Sequence, residues 1–472
     1  MNYNYIFATN GRVLVPFSFA FLLPLTISLF EGESLLPFLV AFLSTFTMGL
    51  IFILVSRKKE PEISTEKDAY ISVAIIWLLI PIFGSIPFLF YSIDPLNAFF
   101  ESMSGFTTTG MSVLTPELLP ASILFWRSFI QWLGGFGVVV LTLIFLPSMR
   151  KKSLLFYAEY PTIVLPKVKP RIRDVAMVIF QLYLVLTILE ILALYFFGLD
   201  LFNALNHALT TISTGGFSTS SESIAKFKDA RIEAVIAFFG FIGGLNFALI
   251  YALTNKQLRS LADLELRVYT ALIAAATLIL TIVNIPNYGD TLQSLRFSAF
   301  QAISFTAMGF TTANVNEWSS SAKMVLLVLM LVGGCSGSTA GGLKVIRFVI
   351  LLKYVVMEIY KLMEPRTVKS IKYGSYVLEK ENVEEIVAFF ILYIFIFFLS
   401  SLILTLMGYD LETSLSFSAS SLGNIGPVFG APSFSELSYF AKLVLILNMW
   451  VGRLEIIPVF MFLLSLAQKE KW

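Results

Sequence analysis

The sequence predicts an all-α polytopic membrane protein in which four span–pore-helix–span repeats surround one pore, with an extra helix pair at the N-terminus. Three observations carry this. First, 57% of the 472 residues are hydrophobic and only 14% are charged, against about 25% charged in an average soluble domain, so a water-soluble surface cannot be built. Second, apolar runs of about 20 residues, the length that spans a hydrocarbon core, recur along the whole chain. Third, four short semi-polar segments between those runs resemble one another.

The first run, near Val13 to Phe30, is followed by Leu35 to Val55 with no small-residue cleavage site between them, so both are expected to be retained spans. Further runs lie near Ala69 to Tyr91, Ile123 to Leu146, Val175 to Phe197, Ala234 to Leu253, Val268 to Ile285, Ala322 to Tyr360, Val383 to Met407 and Tyr439 to Leu466, about ten candidates in all. The run from Ala322 would be roughly 58 Å long as one helix, nearly twice a bilayer core. It must break, and the small residues Gly333 to Gly342 mark the place.

Each short segment begins at an aspartate, Asp94, Asp200, Asp290 or Asp410, and the first two continue as Pro-Leu-Asn-Ala and Leu-Phe-Asn-Ala. An aspartate there caps a short helix and complements its dipole. After each comes a glycine-containing stretch: Thr107-Thr108-Thr109-Gly110-Met111, Ile212-Ser213-Thr214-Gly215-Gly216-Phe217, Thr306-Ala307-Met308-Gly309-Phe310 and Gly423-Asn424-Ile425-Gly426-Pro427. Counting Gly110, Gly215, Gly309 and Gly426, the glycines follow their aspartates by 15 to 19 residues. The expected division is 1–66 for the N-terminal pair, 67–150, 151–256 and 257–365 for repeats one to three, the last with the small-residue break, and 366–472 for repeat four.

Basic residues set the orientation. About 25 of the 33 lie at the N-terminus, Arg57 to Lys67, Arg150 to Arg173, Lys256 to Arg267, Lys344 to Lys380 and the C-terminus, which makes that side cytoplasmic, with both termini on it. All four glycine stretches then open outward. Irregular backbone at membrane depth is tolerated only where protein or a watery cavity covers it. Four such stretches on one axis would present carbonyl oxygens to a dehydrated monovalent cation, and the short helices would aim their negative ends at it. The candidate ion-coordinating residues are Thr108, Thr109, Gly110, Ser213, Thr214, Gly215, Ala307, Met308, Gly309, Asn424, Ile425 and Gly426.

The break Gly333, Gly334, Cys335, Ser336, Gly337, Ser338, Thr339, Ala340, Gly341, Gly342 exceeds a kink and is placed, as a flexible re-entrant loop below the glycine stretches, to close the pathway. Lys344 at its end is an interfacial anchor or part of that closure. Arg453, deep in the last run, is expected to face the pathway as an electrostatic barrier or to touch the loop, while Arg127 is expected to snorkel from a helix end. His207, the only histidine, is expected to hold the second short helix by a hydrogen bond. Cys335, the only cysteine, fits by its small size. Neither has companions for a metal site.

These residues together resemble the TrkH/TrkG/KtrB superfamily of potassium transporters over essentially the full length. Besides the glycine stretches, the likeness rests on Trp126-Arg127, Gln131-Trp132-Leu133-Gly134-Gly135, Gly333 to Gly342 continuing into Leu343-Lys344-Val345-Ile346-Arg347, and Gly452-Arg453-Leu454-Glu455-Ile456. The extra N-terminal pair favours the TrkH branch. The resemblance implies a K⁺ pathway, the loop 333–342 as its intramembrane gate, K⁺ as the transported ion with no cofactor in this chain, a homodimer in the lipid of a prokaryotic inner membrane, and a cytoplasmic TrkA-like subunit that binds nucleotide. Nucleic acid is not an expected partner. The basic stretches Arg150 to Arg173 and Lys344 to Lys380 are candidates for docking the subunit. The third stretch departs from the pattern, because Ala307-Met308 replaces hydroxyl residues there. That leaves the carbonyls intact but bears on the strictness of K⁺ over Na⁺.

Two other functions compete. A secondary symporter coupling K⁺ to H⁺ or Na⁺ also uses broken helices, but its inverted repeats and embedded proton-relay acids are not read in this sequence. An enzyme is disfavoured, since no catalytic carboxylate pair, His cluster or phosphate-binding loop occurs in the spans.

Overall fold

The computed structural model describes residues 2–56, 66–145, 172–364, 370–373, 376–430 and 434–467. At the N-terminus Tyr3–Ser18 runs through a short turn into Leu22–Glu31, and Leu36–Ser56 returns beside it. The two approach closely at glycines: a Cβ on Gly11 would lie 2.7 Å from the Gly49 carbonyl oxygen, the kind of small-residue contact that membrane helices use. Their outer faces carry exposed Leu29, Phe30, Leu43 and Leu54, which suits lipid and not water.

Four units follow. Their first helices are Glu66–Gly84, Ile172–Phe196, Leu264–Tyr288 and Lys380–Leu406. Their short helices are Pro95–Phe106, Leu201–Ile212, Thr291–Ile303 extended by the π-turn Ser304–Met308, and Leu411–Gly423. All four aspartates cap as expected. Asp94 accepts from Leu96 N and Asn97 N, Asp200 from Asn203 N, Asp290 from Leu292 N and Gln293 N, and Asp410 from Thr413 N, at 3.0–3.3 Å. Each cap satisfies amide groups that the first helical turn leaves unpaired.

The second helices are less regular than the hydropathy suggests. Ala121–Phe145 is continuous to the edge of the described residues. Repeat three stops at Val332 and resumes at Val345–Met363, as expected. Breaks also cut the two runs read as single spans: Ala230–Gly243 meets Phe247–Thr254 at 103°, and Tyr439–Arg453 meets Ile457–Ser465 at 113°. The causes are local. Asn246 starts a new helix by accepting from Ala248 N at 2.9 Å, and Glu455 and Ile456 turn the last one with φ of 57° and 64°. Among the described residues six helices are long and apolar enough to cross by themselves, or eight with the bent pairs counted, so the breaks near 245 and 455 add to the one expected at 333–342. A two-residue hairpin, Lys372–Tyr373 with Tyr376–Val377, lies after Val345–Met363. The repeat boundaries expected at 150/151 and 365/366 lie outside the described residues.

Candidate ion pathway

The four glycine stretches meet one another in a closed ring. A Cβ on Gly110 would lie 2.1 Å from the Gly215 carbonyl oxygen, one on Gly216 2.5 Å from that of Gly309, one on Gly309 2.9 Å from that of Ile425, and one on Gly426 2.4 Å from that of Thr109. Repeat one therefore touches two, two touches three, three touches four, and four returns to one. No side chain fits at those four approaches, which is why glycine stands there.

Backbone angles correct the register in repeat two. Thr108 and Gly110 have φ of 52° and 86°, Thr214 and Gly216 have 55° and 79°, and Asn424 and Gly426 have 50° and 105°. Gly216, not Gly215, thus occupies the place of Gly110 and Gly426, and Gly215 matches Thr109 and Ile425. With Gly216 the distance from the capping aspartate is 16 residues in repeats one, two and four. Repeat three differs in backbone as well as in side chains. Ala307 and Met308 belong to the π-turn, and Gly309 alone turns left-handed, at φ 92°.

Hydrogen bonds behind the ring link the repeats. Asn424 Nδ2 donates to Thr109 Oγ1 and to Met449 O, each at 3.0 Å, so Thr109 faces its neighbouring repeat. Thr107 Oγ1 lies 2.8 Å from Thr109 Oγ1. Gln131, on the second helix of repeat one, donates to Gly215 O at 2.7 Å and accepts from Phe217 N at 3.0 Å. No role was read for Gln131 in the sequence, although a polar side chain in the middle of an apolar helix signals a buried partner.

Directly against the ring lies the loop 333–344, which is folded and anchored on all sides. Cys335 N donates to Gly244 O at 2.9 Å, and Phe247 N donates to Gly337 O at 3.2 Å. Thr339 Oγ1 donates toward Ile212 O and Gly243 O and accepts from Thr214 Oγ1 at 3.1 Å. A Cβ on Gly341 would lie 2.0 Å from the Gly423 carbonyl oxygen, and Ser338 Oγ closes a turn onto Cys335 O at 2.6 Å. Glu265, at the start of the first helix of repeat three, accepts from both ends of the loop, Ser336 N at 2.8 Å and Ile346 N at 3.1 Å. Sequence reading missed Glu265; its signal was an acidic residue at the foot of a span.

The charged candidates are placed as follows. Arg453 is buried and donates from Nη1 to Thr339 O at 2.9 Å and from Nη2 to Gly134 O at 3.0 Å, so it holds the loop against repeat one. Glu455 pairs instead with Arg347. Lys344 is buried, has φ 76° and donates its ammonium to Ala340 O. It closes the base of the loop and is no interfacial anchor, because its charge is turned into the protein. Arg127 does not snorkel: it is 2% exposed and pairs with Glu101 at 2.7 Å, because Glu101, Ser112 Oγ and Ser218 O satisfy all three guanidinium nitrogens inside the protein. His207 makes the expected contacts, with Asn203 O at 2.8 Å and Ser218 Oγ at 3.1 Å. Cys335 is buried, and among the described residues no group of His, Cys, Asp and Glu could hold a metal ion.

Fold and site together define a polytopic membrane protein built around a ring of four re-entrant glycine segments, with a folded loop against the ring. Comparison with known proteins agrees. The family model TrkH, described as a cation transport protein, matches residues 41–472, and the chain belongs to that family of transporters. The Trk system potassium uptake protein TrkH of Halomonas elongata is 34% identical, covering 97% of this chain and 98% of its own. The protein of the same name from Escherichia coli is 35% identical over 92% and 95%. The crystal structure of the potassium transporter TrkH from Vibrio parahaemolyticus superposes over 100% of both chains with a TM-score of 0.88 at 31% identity.

Proposed function

We propose that this chain carries K⁺ into a prokaryotic cell across the inner membrane, through a filter formed by the four glycine segments and closed by the loop 333–344. The closed ring of glycine contacts carries this reading. Backbone carbonyls gathered there can replace the hydration shell of a cation, and the short helices end at the ring with their negative poles. Relatives named as Trk system potassium uptake proteins, 34–35% identical, support K⁺ as the ion. In this reading the loop is the gate, Arg453 and Lys344 hold it shut, and the chain divides into an N-terminal pair and four repeats at the boundaries given above. The relatives' names also support association with other Trk components. A homodimer and a cytoplasmic nucleotide-binding subunit docked on the basic stretches Lys344 to Lys380 and Arg150 to Arg173, most of the latter outside the described residues, complete the assembly.

One observation favours H⁺ coupling as a second reading. Glu190, in the first helix of repeat two, is fully buried, with the Thr211 hydroxyl as its polar neighbour; a buried acid without a basic partner among the described residues is a natural proton carrier. Uptake of radioactive Rb⁺ and Na⁺ into liposomes of the purified protein tests the first reading, with strong preference for Rb⁺ expected and equal uptake refuting it. A pH-sensitive dye inside the same liposomes tests the second. Proton movement that follows the K⁺ gradient and disappears in Glu190→Gln would establish coupling.

A further inference from the structure

We propose that Glu101 and Arg127 are positioning residues for ion selectivity, a buried ionic brace that fixes the outer ends of the first and second glycine segments against each other. This rests on the filter reading above. The pair lies behind the ring, with Glu101 fully buried in the first short helix and Arg127 in the second helix of the same repeat. Every arm of the guanidinium is used. Nε donates to Glu101 at 2.7 Å, Nη2 to Ser112 Oγ at 3.0 Å and Nη1 to Ser218 O at 3.0 Å, and the group lies 4.4 Å from the centre of the Phe217 ring. The carboxylate also accepts from Ser112 Oγ at 2.9 Å and from Val113 N at 3.0 Å.

Ser112 and Ser218 each stand two residues beyond their ring glycine, Gly110 and Gly216. The brace therefore joins equivalent points of two repeats, two residues beyond the ring glycines. Glu101 itself lies nine residues before Gly110. The residues nine before Gly216, Gly309 and Gly426 are His207, Phe300 and Phe417, and His207 reaches Ser218 Oγ just as Glu101 reaches Ser112 Oγ. Repeats one and two are thus fastened by polar and ionic contacts, whereas Phe300 and Phe417 pack as apolar residues. A planar five-donor fork held by a carboxylate is a stiff connection. Slackening it would let the ring contract around a smaller ion.

The test is the ratio of Rb⁺ to Na⁺ uptake in liposomes, with assembly followed by gel filtration in detergent. E101Q alone leaves Arg127 unpaired in a buried site and endangers folding, so the main variant is the double E101Q/R127Q, which keeps the volume and removes both charges. We expect it to assemble, with the ratio reduced about tenfold, a change of roughly 1.4 kcal/mol between the two ions. R127K retains the charge but cannot span the three acceptors, and should also lower the ratio; it decides the matter if the double variant does not assemble. An assembled double variant, or failing that R127K, with the wild-type ratio overturns the brace when G110S in the same assay does lower it. A wild-type ratio in G110S overturns the filter reading, and the brace with it.

Discussion

At Gly110 and Gly216 two separate constraints coincide, a positive φ and a neighbouring carbonyl that leaves no room for a Cβ. Gly110→Ser and Gly216→Ser should each lower the Rb⁺ to Na⁺ uptake ratio by about tenfold or more, the strain of a non-glycine residue in this region being of order 1–3 kcal/mol. Gly215→Ser acts differently, by driving a side chain into Gln131; it should mimic Gln131→Ala, with a similar loss in both. Arg453→Ala removes the donor of Thr339 O, leaving that buried carbonyl unsatisfied at about 1–3 kcal/mol, and breaks the contact with Gly134 O, which keeps its place in the helix Ala121–Phe145. The loop loses its tie to repeat one, and uptake without any cytoplasmic subunit should rise severalfold while the protein still assembles. Loss of assembled protein with no gain in uptake would refute that assignment. Residue types at the ring were legible from four glycines behind four capped helices. Their register in repeat two was not, because Gly215 and Gly216 are adjacent and only the backbone angles separate them.

Helix ends and breaks decide what each element does. The break at 333–342 was legible because a 39-residue apolar run cannot fit a bilayer; those at 244–246 and 454–456 were not, because each run there has the length of one span and hydropathy is blind to direction. Removing Gly337 to Gly342 should leave a pathway open without a partner and still selective, since the ring residues are untouched. Dependence on the partner equal to wild type would move the gate elsewhere. Outside the membrane a different contact ties the loops of repeats one and two. Glu117 accepts from Ser220 Oγ at 3.0 Å, Ser221 N at 2.7 Å and Ser221 Oγ at 2.6 Å. Burial raises the pKa of its carboxyl, but the hydrogen bonds from Ser221 and Ser220 outweigh this and hold it down to about 2. A group depressed on folding contributes stability that is complete above its ordinary value and is lost as pH falls through the folded one. The stability difference between wild type and Glu117→Gln should therefore be constant near neutrality and shrink between about pH 4.5 and pH 2, as followed by thermal unfolding in detergent.

For the whole molecule, composition alone was enough to place the chain in a bilayer. What composition could not give was the wiring between repeats. Asn424 to Thr109, Gln131 to Gly215 and Arg127 to Ser218 join residues 84 to 315 positions apart, and nothing local in a sequence announces such pairs. The proposed homodimer predicts a mass near twice 52.7 kDa by native mass spectrometry; a monomer at all protein concentrations would refute it.

The hydrogen bond from Thr214 to Thr339 has a thermodynamic consequence. It joins the ring to the loop, so the energies of the two are not separable, and linkage is reciprocal. If withdrawal of Thr339 alters how tightly the second segment holds an ion, then an ion held there alters how readily Thr339 withdraws, by the same factor. A change of external cation from K⁺ to Na⁺ would then act as an effector of the loop as well as a change of cargo, and the fraction of time the pathway spends open would depend on what is passing through it.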